Sequence, residues 1–254
     1  MRWSGPFESA ALLTALPVPA RMATSTRGVL PWAPLVGLLL GGIATAVGVL
    51  FARWISPPAG AVLAVAVLAM LTRGLHLDGL ADTADGLGPL RDRERALQVM
   101  HQSDVGPFGV VTLVLTLLLQ VACIAALLAA DDGWLPVWAA VPVARLARAR
   151  TGLPGVAVAA GSSLGRAVAG TVPPAWLAAA GLLIAGVVTG AALLAAGPAA
   201  AARLLAAGAG ALLAAEAVHR RATRRLGGTT GDVMGAMGEV ATTAYLLVAA
   251  ALWP

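Results

Sequence analysis

Residues 107–130 read PFGVVTLVLTLLLQVACIAALLAA, and not one of them is charged. A helix needs about 20 apolar residues to cross the hydrocarbon core of a bilayer, and this run supplies them. The apolar positions are continuous and do not alternate, so the stretch reads as a membrane-spanning helix rather than a strand. Asp131-Asp132-Gly133 closes it, a breaker where a span should stop. Working outward, comparable segments occupy about 31–52, 57–73, 134–147, 175–196, 199–216 and 237–253. Pro57-Pro58, Pro173-Pro174 and Gly197-Pro198 fall at the joints. The segment at 134–147 is the weakest, being short and carrying Pro136 and Pro142.

Composition agrees. Of 254 residues, 59% are hydrophobic and 11% charged, where a soluble domain carries about 25% charged. The expected fold is all-α, a polytopic membrane helical bundle of about seven transmembrane helices. No loop is long enough for a core of its own. Residues 1–254 therefore read as a single integral-membrane domain, and any site is built by the bundle and its loops at 74–106 and 217–236.

The net charge of +5 comes from arginine alone, for the chain has no lysine. If 74–106 is cytoplasmic, alternation places 1–30, 148–174 and 217–236 on the same side. Every arginine except Arg53 and Arg203 then lies on or next to that side. This asymmetry predicts the N-terminus inside and the C-terminus outside. The arginines orient the protein in the membrane, and nothing in their pattern points to nucleic acid. Residues 1–28 resemble a signal peptide only until Glu8 interrupts the apolar core, so they read as a mature segment lying at the membrane surface. Cys123 is the only cysteine, which excludes an internal disulfide and a thiolate metal site. Trp32, Trp54, Trp134 and Trp253 sit at span edges, where aromatic belts form.

Against this hydrocarbon background one stretch stands out: His76-Leu77-Asp78-Gly79-Leu80-Ala81-Asp82-Thr83-Ala84-Asp85-Gly86. On a helix, Asp78, Asp82 and Asp85 fall within a narrow arc of one face. Carboxylates about 6 Å apart repel by roughly 2–3 kcal/mol per pair even at an effective dielectric near 20. No Lys or Arg lies between them. A hard divalent cation would cancel the repulsion, and magnesium held by a few carboxylates usually also holds phosphate. The expectation is a magnesium and pyrophosphate site with Asp78, Asp82 and Asp85 as ligands; the alternative is a solvated acidic helix end. His76 adjoins the acids and either orients one of them or makes a structural hydrogen bond.

Three further groups complete the candidates. Arg91, Arg93 and Arg95 either clamp phosphate oxygens or form a solvated, mixed-charge helix start. Gln102-Ser103-Asp104-Val105-Gly106-Pro107 precedes a helix, which makes both an N-cap and an anion site. In Gly227-Gly228-Thr229-Thr230-Gly231-Asp232 the glycines admit a close ligand and the hydroxyls can hold phosphate or ribose, with Asp232 as a further carboxylate; a plain linker is the alternative. Glu8, Glu216 and Glu239 lie within or beside apolar stretches, where ionisable residues are candidates for function.

The stretch from His76 to Gly86 resembles the signature of the cobalamin synthase family. Phe7 through Leu16-Pro17-Val18-Pro19 resembles that family's opening, and Arg27-Gly28 with Pro34-Leu35-Val36-Gly37 its first span. Gly227-Gly228-Thr229-Thr230-Gly231-Asp232 resembles its C-terminal motif. Three positions depart: Gln102 and Asp104, in Gln102-Ser103-Asp104 where Asp-Ser-Arg is usual, and Thr242 where a carboxylate is common. The resemblance implies transfer of alpha-ribazole, or its 5′-phosphate, onto adenosylcobinamide-GDP with release of GMP. It implies attack by the ribose 5′-hydroxyl and dependence on magnesium. It also implies a bacterial inner membrane with the active site facing the cytoplasm. Asp78, Asp82, Asp85 and Asp232 become catalytic or metal-binding candidates. Arg27, His76, Arg91, Arg93, Ser103, Gly227, Gly228 and Thr230 become substrate contacts. Membrane lipid is the expected surrounding, and an oligomer is compatible with the sequence. Two other readings stand beside this one: a CDP-alcohol-type phosphotransferase, which the motif Asp82-x-x-Asp85-Gly86 echoes, and an ion-coupled transporter.

Overall fold

The computed structural model describes residues 4–102 and 104–254. Arg2, part of the charge asymmetry, and Ser103, a candidate substrate contact, lie outside them. The described residues form α-helices joined by short turns, with no strand among them. The helices are α1 (Gly5–Leu13), α2 (Val29–Trp54), α3 (Pro57–Leu71), α4 (Leu75–Leu87), α5 (Arg93–Met100), α6 (Pro107–Leu128), α7 (Trp134–Ala149), α8 (Ser163–Val168), α9 (Pro174–Ala195), α10 (Gly197–Leu226) and α11 (Gly231–Leu252).

The seven apolar segments all become helices, though not all of equal reach. Helices α2, α6, α9, α10 and α11 are long and apolar enough to cross a membrane, and the bent pair α3–α4 raises the count to six. The chain is a multi-pass membrane protein. Helix α7 has 16 residues, about 24 Å at 1.5 Å each, short of a ~30 Å core. It is buried almost throughout. It forms the inner post of the bundle, packed by α2, α9, α10 and α11. Proline starts several helices at a position where its missing N–H costs nothing: Pro57, Pro107, Pro174 and Pro198 all lie in first turns.

Two of the expected loops are largely helical. Residues 74–106 contain α4 and α5, and α4 leaves α3 at 90°. The turn is made at Arg73 and Gly74, both with positive φ. Because α4 turns away from α3 by 90°, we count it outside the spanning segments. The expected end of a span at 216 is also corrected. Helix α10 runs on to Leu226, 30 residues in all. Ala and Arg, which dominate 217–225, are strong helix formers, and Glu216 pairs with both Arg150 and Arg220 at 2.8 and 2.7 Å. Gly227, with φ of +80°, ends the helix.

Helix α1 packs one face on α2. Gly5 lies so close to Trp32 that a Cβ would come within 2.1 Å of the indole nitrogen. Glu8 is buried, and its carboxylate accepts from the Gly28 N–H at 2.8 Å and from the Ser4 hydroxyl at 2.8 Å. Gly28 is the N-cap of α2. Glu8 therefore supplies the negative charge that a helix start favours, a structural role for one of the membrane-edge acids.

Small residues set the closest helix contacts, as expected where lipid gives no hydrophobic drive to helix association. At the crossing of α2 and α3, a Cβ on Gly60 would lie 2.3 Å from the Gly48 carbonyl oxygen and 2.7 Å from the Ala52 nitrogen. Both are backbone atoms that cannot step aside. Gly60→Val is expected to destabilise the protein by about 1–3 kcal/mol, the usual cost of overpacking, read as a lowered thermal midpoint in detergent. An unchanged midpoint would mean that the helices cross elsewhere.

Candidate active site

Helix α4 carries the acidic motif and lies against α11 with backbones nearly touching. A Cβ on Gly79 would come 2.8 Å from the Cα of Asp232, and one on Gly235 would meet the His76 carbonyl oxygen at 3.1 Å. These two glycines let the acids of α4 meet the first turn of α11. Asp232 is placed there by a cap: the Thr230 hydroxyl accepts from the Val233 N–H at 3.1 Å and donates to the Asp232 carboxylate at 3.3 Å.

Beside this contact opens a cavity of about 650 Å³. Asp78, Asp232 and Thr230 form its acidic side, with His76, His101 and Arg148 also on its walls. Burial pushes the Asp82 carboxyl up to about 7, and the Asp78, Asp232 and Asp85 carboxylates reinforce the shift. Carboxylates thus crowd together where α4 meets α11, although Asp82 itself does not line the cavity, whose charged residues are Asp78, Asp232, Arg73 and Arg148. Among the described residues, however, no three His, Cys, Asp or Glu side chains converge as a metal-holding group. The donor set is all oxygen and suits a hard cation, but the triad expected from the helix arc is not assembled.

The reason is Asp85. Its two carboxylate oxygens accept from the Gly106 N–H at 2.8 Å and the Gly109 N–H at 3.0 Å. These are the free N–H groups at the start of α6. The anion site foreseen at that helix start exists, and Asp85 is its anion. Gly106 and Gly109 are required by the approach, since a Cβ on either would fall within 2.5 Å of the carboxylate. Asp85 belongs to the same face as Asp78 and Asp82 by sequence but is fully occupied in tying α4 to α6.

The predicted arginines have similar fates. Arg91 donates to the Asp85 carbonyl oxygen at 2.7 Å and closes the end of α4. The Arg93 guanidinium lies on Gly227, where a Cβ would come 2.9 Å from its Cζ. Arg27 is exposed, although Thr26 and Val29 on either side of it line the cavity. Gly228 packs on Val158, with room for no Cβ (2.3 Å to the Val158 carbonyl carbon), and Thr229 bonds to Ala157 and Ala159 through its backbone. The glycine run therefore serves chain packing, while Thr230 and Asp232 face the cavity. Of the sequence candidates, the cavity gathers His76, Asp78, Thr230 and Asp232.

The sequence reading missed Arg148, His101, Arg73 and Ser162, all of which line the cavity. Arg145 and Arg148 lie one turn apart on an otherwise apolar segment. That spacing was a usable signal, but the arginines read as membrane-edge anchors. Both are almost completely buried, at 2% and 5% exposure.

A bundle in which carboxylates from two helices meet at one largely apolar cavity defines a membrane-embedded protein with a charged group of side chains inside it. The chain matches the family model described as cobalamin-5-phosphate synthase over residues 7–250. It is 37% identical to the adenosylcobinamide-GDP ribazoletransferase of Frankia casuarinae, covering 96% of this chain and 93% of that one. It is 38% identical to the protein of the same name from Chlorobaculum parvum (95% and 92% covered). Against the one from Nocardioides sp. the identity is 39% (94% and 95% covered). No solved structure matches. The chain belongs to the cobalamin-5-phosphate synthase family. The match along nearly the whole chain displaces both the lipid phosphotransferase and the transporter readings.

Asp85→Ala should remove the partner of two buried N–H groups and cost about 1–3 kcal/mol, seen as a lowered unfolding midpoint. Asp85→Asn, which keeps an acceptor oxygen, should recover part of it. A midpoint unmoved by Asp85→Ala would return this carboxylate to the list of metal-ligand candidates.

Proposed function

We propose that this chain joins the nucleoside of the lower cobalamin loop to adenosylcobinamide-GDP and releases GMP, the last assembly step of that loop. The observation that carries the reading is the meeting of Asp78 with Thr230 and Asp232 in one cavity, in a chain that matches the family along its length. The proposed setting is the inner membrane of a bacterium, N-terminus inside and C-terminus outside, with the cavity facing the cytoplasm. The arginine asymmetry supports that orientation.

A hydroxyl of the ribazole ribose attacks the phosphorus that bears cobinamide. The bond from that phosphorus to the bridging oxygen breaks, and the bridging oxygen leaves as part of GMP. One correction concerns which hydroxyl. A product described as a 5-phosphate still carries its phosphate at the end of the reaction. The 5′ oxygen of such an acceptor is therefore blocked, and the attack falls to a ring hydroxyl, 2′ or 3′, not to the 5′-hydroxyl.

Transfer of this kind asks for positioning and charge neutralisation more than covalent help. Magnesium, when bound, would neutralise the diphosphate and the acids together. Asp78 and Asp232, which line the cavity, would hold it, with Asp82 beside them on α4 adding its charge, and Asp85 would not, being engaged with α6. Asp232 or Asp78 would take the hydroxyl proton. Thr230 orients Asp232, and Gly79 with Gly235 fixes the distance between the two helices. His76 lines the same cavity. Arg91 and Arg93 act indirectly, by fixing the α4–α5 connection. Membrane lipid surrounds the bundle.

The test is GMP release from adenosylcobinamide-GDP by protein in detergent, with alpha-ribazole 5′-phosphate and with or without magnesium. GMP should appear only when all three are present. Asp82→Asn should slow it on the order of 100-fold or more without lowering the unfolding midpoint. Near-normal turnover by that variant would remove the carboxylate assignment. Absence of GMP from the unaltered protein under all conditions would overturn the reaction itself.

A further inference from the structure

A second hollow, of about 300 Å³, lies between α7, α9, α10 and α11 and shares no lining residue with the cavity. Apart from Arg150 and Glu216, every residue that lines it is apolar, Leu146, Leu177, Leu212 and Met237 among them. The charged pair has a third member. The Glu216 carboxylate takes Arg150 Nε at 2.8 Å and Arg220 Nε at 2.7 Å. Among the described residues no second carboxylate reaches either guanidinium. Two cations therefore share one anion, and a single positive charge is left over. The two arginines are spent differently. Arg150 gives Glu216 its Nη2 as well as its Nε. Arg220 gives only its Nε, and its side chain is 70% exposed. The outer nitrogens of Arg220 are thus open to a ligand. Depth in the bilayer follows from helix length. From the start of α10 to Glu216 is about 20 residues, or about 30 Å, the thickness of a hydrocarbon core. Leu177, near the start of α9, lies about as far from the turn at Gly197 that joins the two helices. With that turn at one face of the bilayer, Glu216 comes at the other. The apolar hollow then lies at acyl-chain depth and the three charges where headgroups begin.

These two features together describe one kind of ligand. A soluble anion would satisfy the surplus charge but leave the hollow unused. A zwitterionic lipid would fill the hollow but bring an ammonium along with its phosphate, and the surplus would remain. A lipid whose head carries one net negative charge meets both requirements. We propose that this groove seats a single anionic glycerophospholipid, with an acyl chain in the hollow and the phosphodiester on the outer nitrogens of Arg220. A guanidinium grips phosphate oxygens in pairs, and basic residues at the headgroup level attract anionic lipid. Arg150 acts indirectly: by holding Glu216 it offsets the one carboxylate that would otherwise repel the phosphate. The site stands on the membrane reading of the chain and is independent of the reaction proposed above.

Native mass spectrometry of the full chain in detergent tests it, with phosphatidylglycerol and phosphatidylcholine of matched acyl chains as probes. One phosphatidylglycerol per chain should be retained, in preference to phosphatidylcholine by roughly 5-fold, the worth of one basic side chain against an anionic head. Arg220→Gln should abolish that preference. Glu216→Gln removes the competing carboxylate and should raise it by roughly a further 5-fold. A purely structural ion pair would not move the preference in opposite directions in these two variants. Leu212→Trp, at a position 39% exposed on α10, should fill the hollow and lower lipid retention with every charge left in place. Glycerol 3-phosphate should not displace the retained lipid. Equal retention of the two lipids, a preference that survives Arg220→Gln, or shifts of the same sign in Arg220→Gln and Glu216→Gln overturns the proposal. Displacement by glycerol 3-phosphate overturns it too, by reducing the site to an anion contact. A two-chain mass in place of the lipid-bound one would give the groove to a second copy and overturn it as well. If Leu212→Trp does not fold, the two polar variants decide.

Discussion

The contact between α4 and α11 at Gly79 and Gly235 is the constraint on which the site depends. Asp78 and Asp82 come from a helix turned 90° from the one before it, and Asp232 from the first turn of a helix long and apolar enough to span. Only backbones that nearly touch can bring carboxylates of two such helices together, and a side chain at Gly79 would meet the Asp232 backbone at 2.8 Å. The contact also buries Asp82 and brings like charges toward it, and both raise its carboxyl, burial the more. A fold that accepts this repulsion must recover it elsewhere. The recovery begins with the fixed end of α4: Asp85 satisfies two N–H groups of α6, and Arg91 satisfies the Asp85 carbonyl in the last turn of α4.

The same economy explains why so many arginines contact carbonyl oxygens rather than acids. Arg73 donates to the Leu12 carbonyl at 2.6 Å and Arg225 to that of Arg91 at 3.0 Å. At the edge of a membrane a helix end presents orphan carbonyls to a poorly hydrating boundary. A guanidinium satisfies them while keeping its charge near the polar headgroups. The arginine surplus on one side therefore does two things at once. It supports the orientation of the chain, and it stitches α1, α4 and α5 to the bundle around the cavity.

How far the sequence revealed this depends on the range of the interaction. Lengths of apolar runs are local, so the helices at 107–130 and 175–196 were legible to within a few residues. The arc of Asp78, Asp82 and Asp85 was legible for the same reason, because a helix fixes it. The partner of each acid was not. Asp85 and the N–H groups that claim it are more than twenty residues apart, and only folding brings them together. The glycine stretch at 227–231 reads as a ligand loop or a plain linker, since a glycine that admits a neighbouring backbone looks in sequence like one that admits a phosphate. Arg145 and Arg148 were assigned to the membrane edge because charge near a span end normally lies there. Their burial follows from the shortness of α7, which ends inside the bundle and not at its rim.

That shortness also decides which charges face the cavity. Asp78 and Asp232 line it together with Arg73 and Arg148. Arg148, 5% exposed, is kept there because α7 ends inside the bundle. A guanidinium held at that depth offsets part of the carboxylate charge that the contact of α4 and α11 brings together.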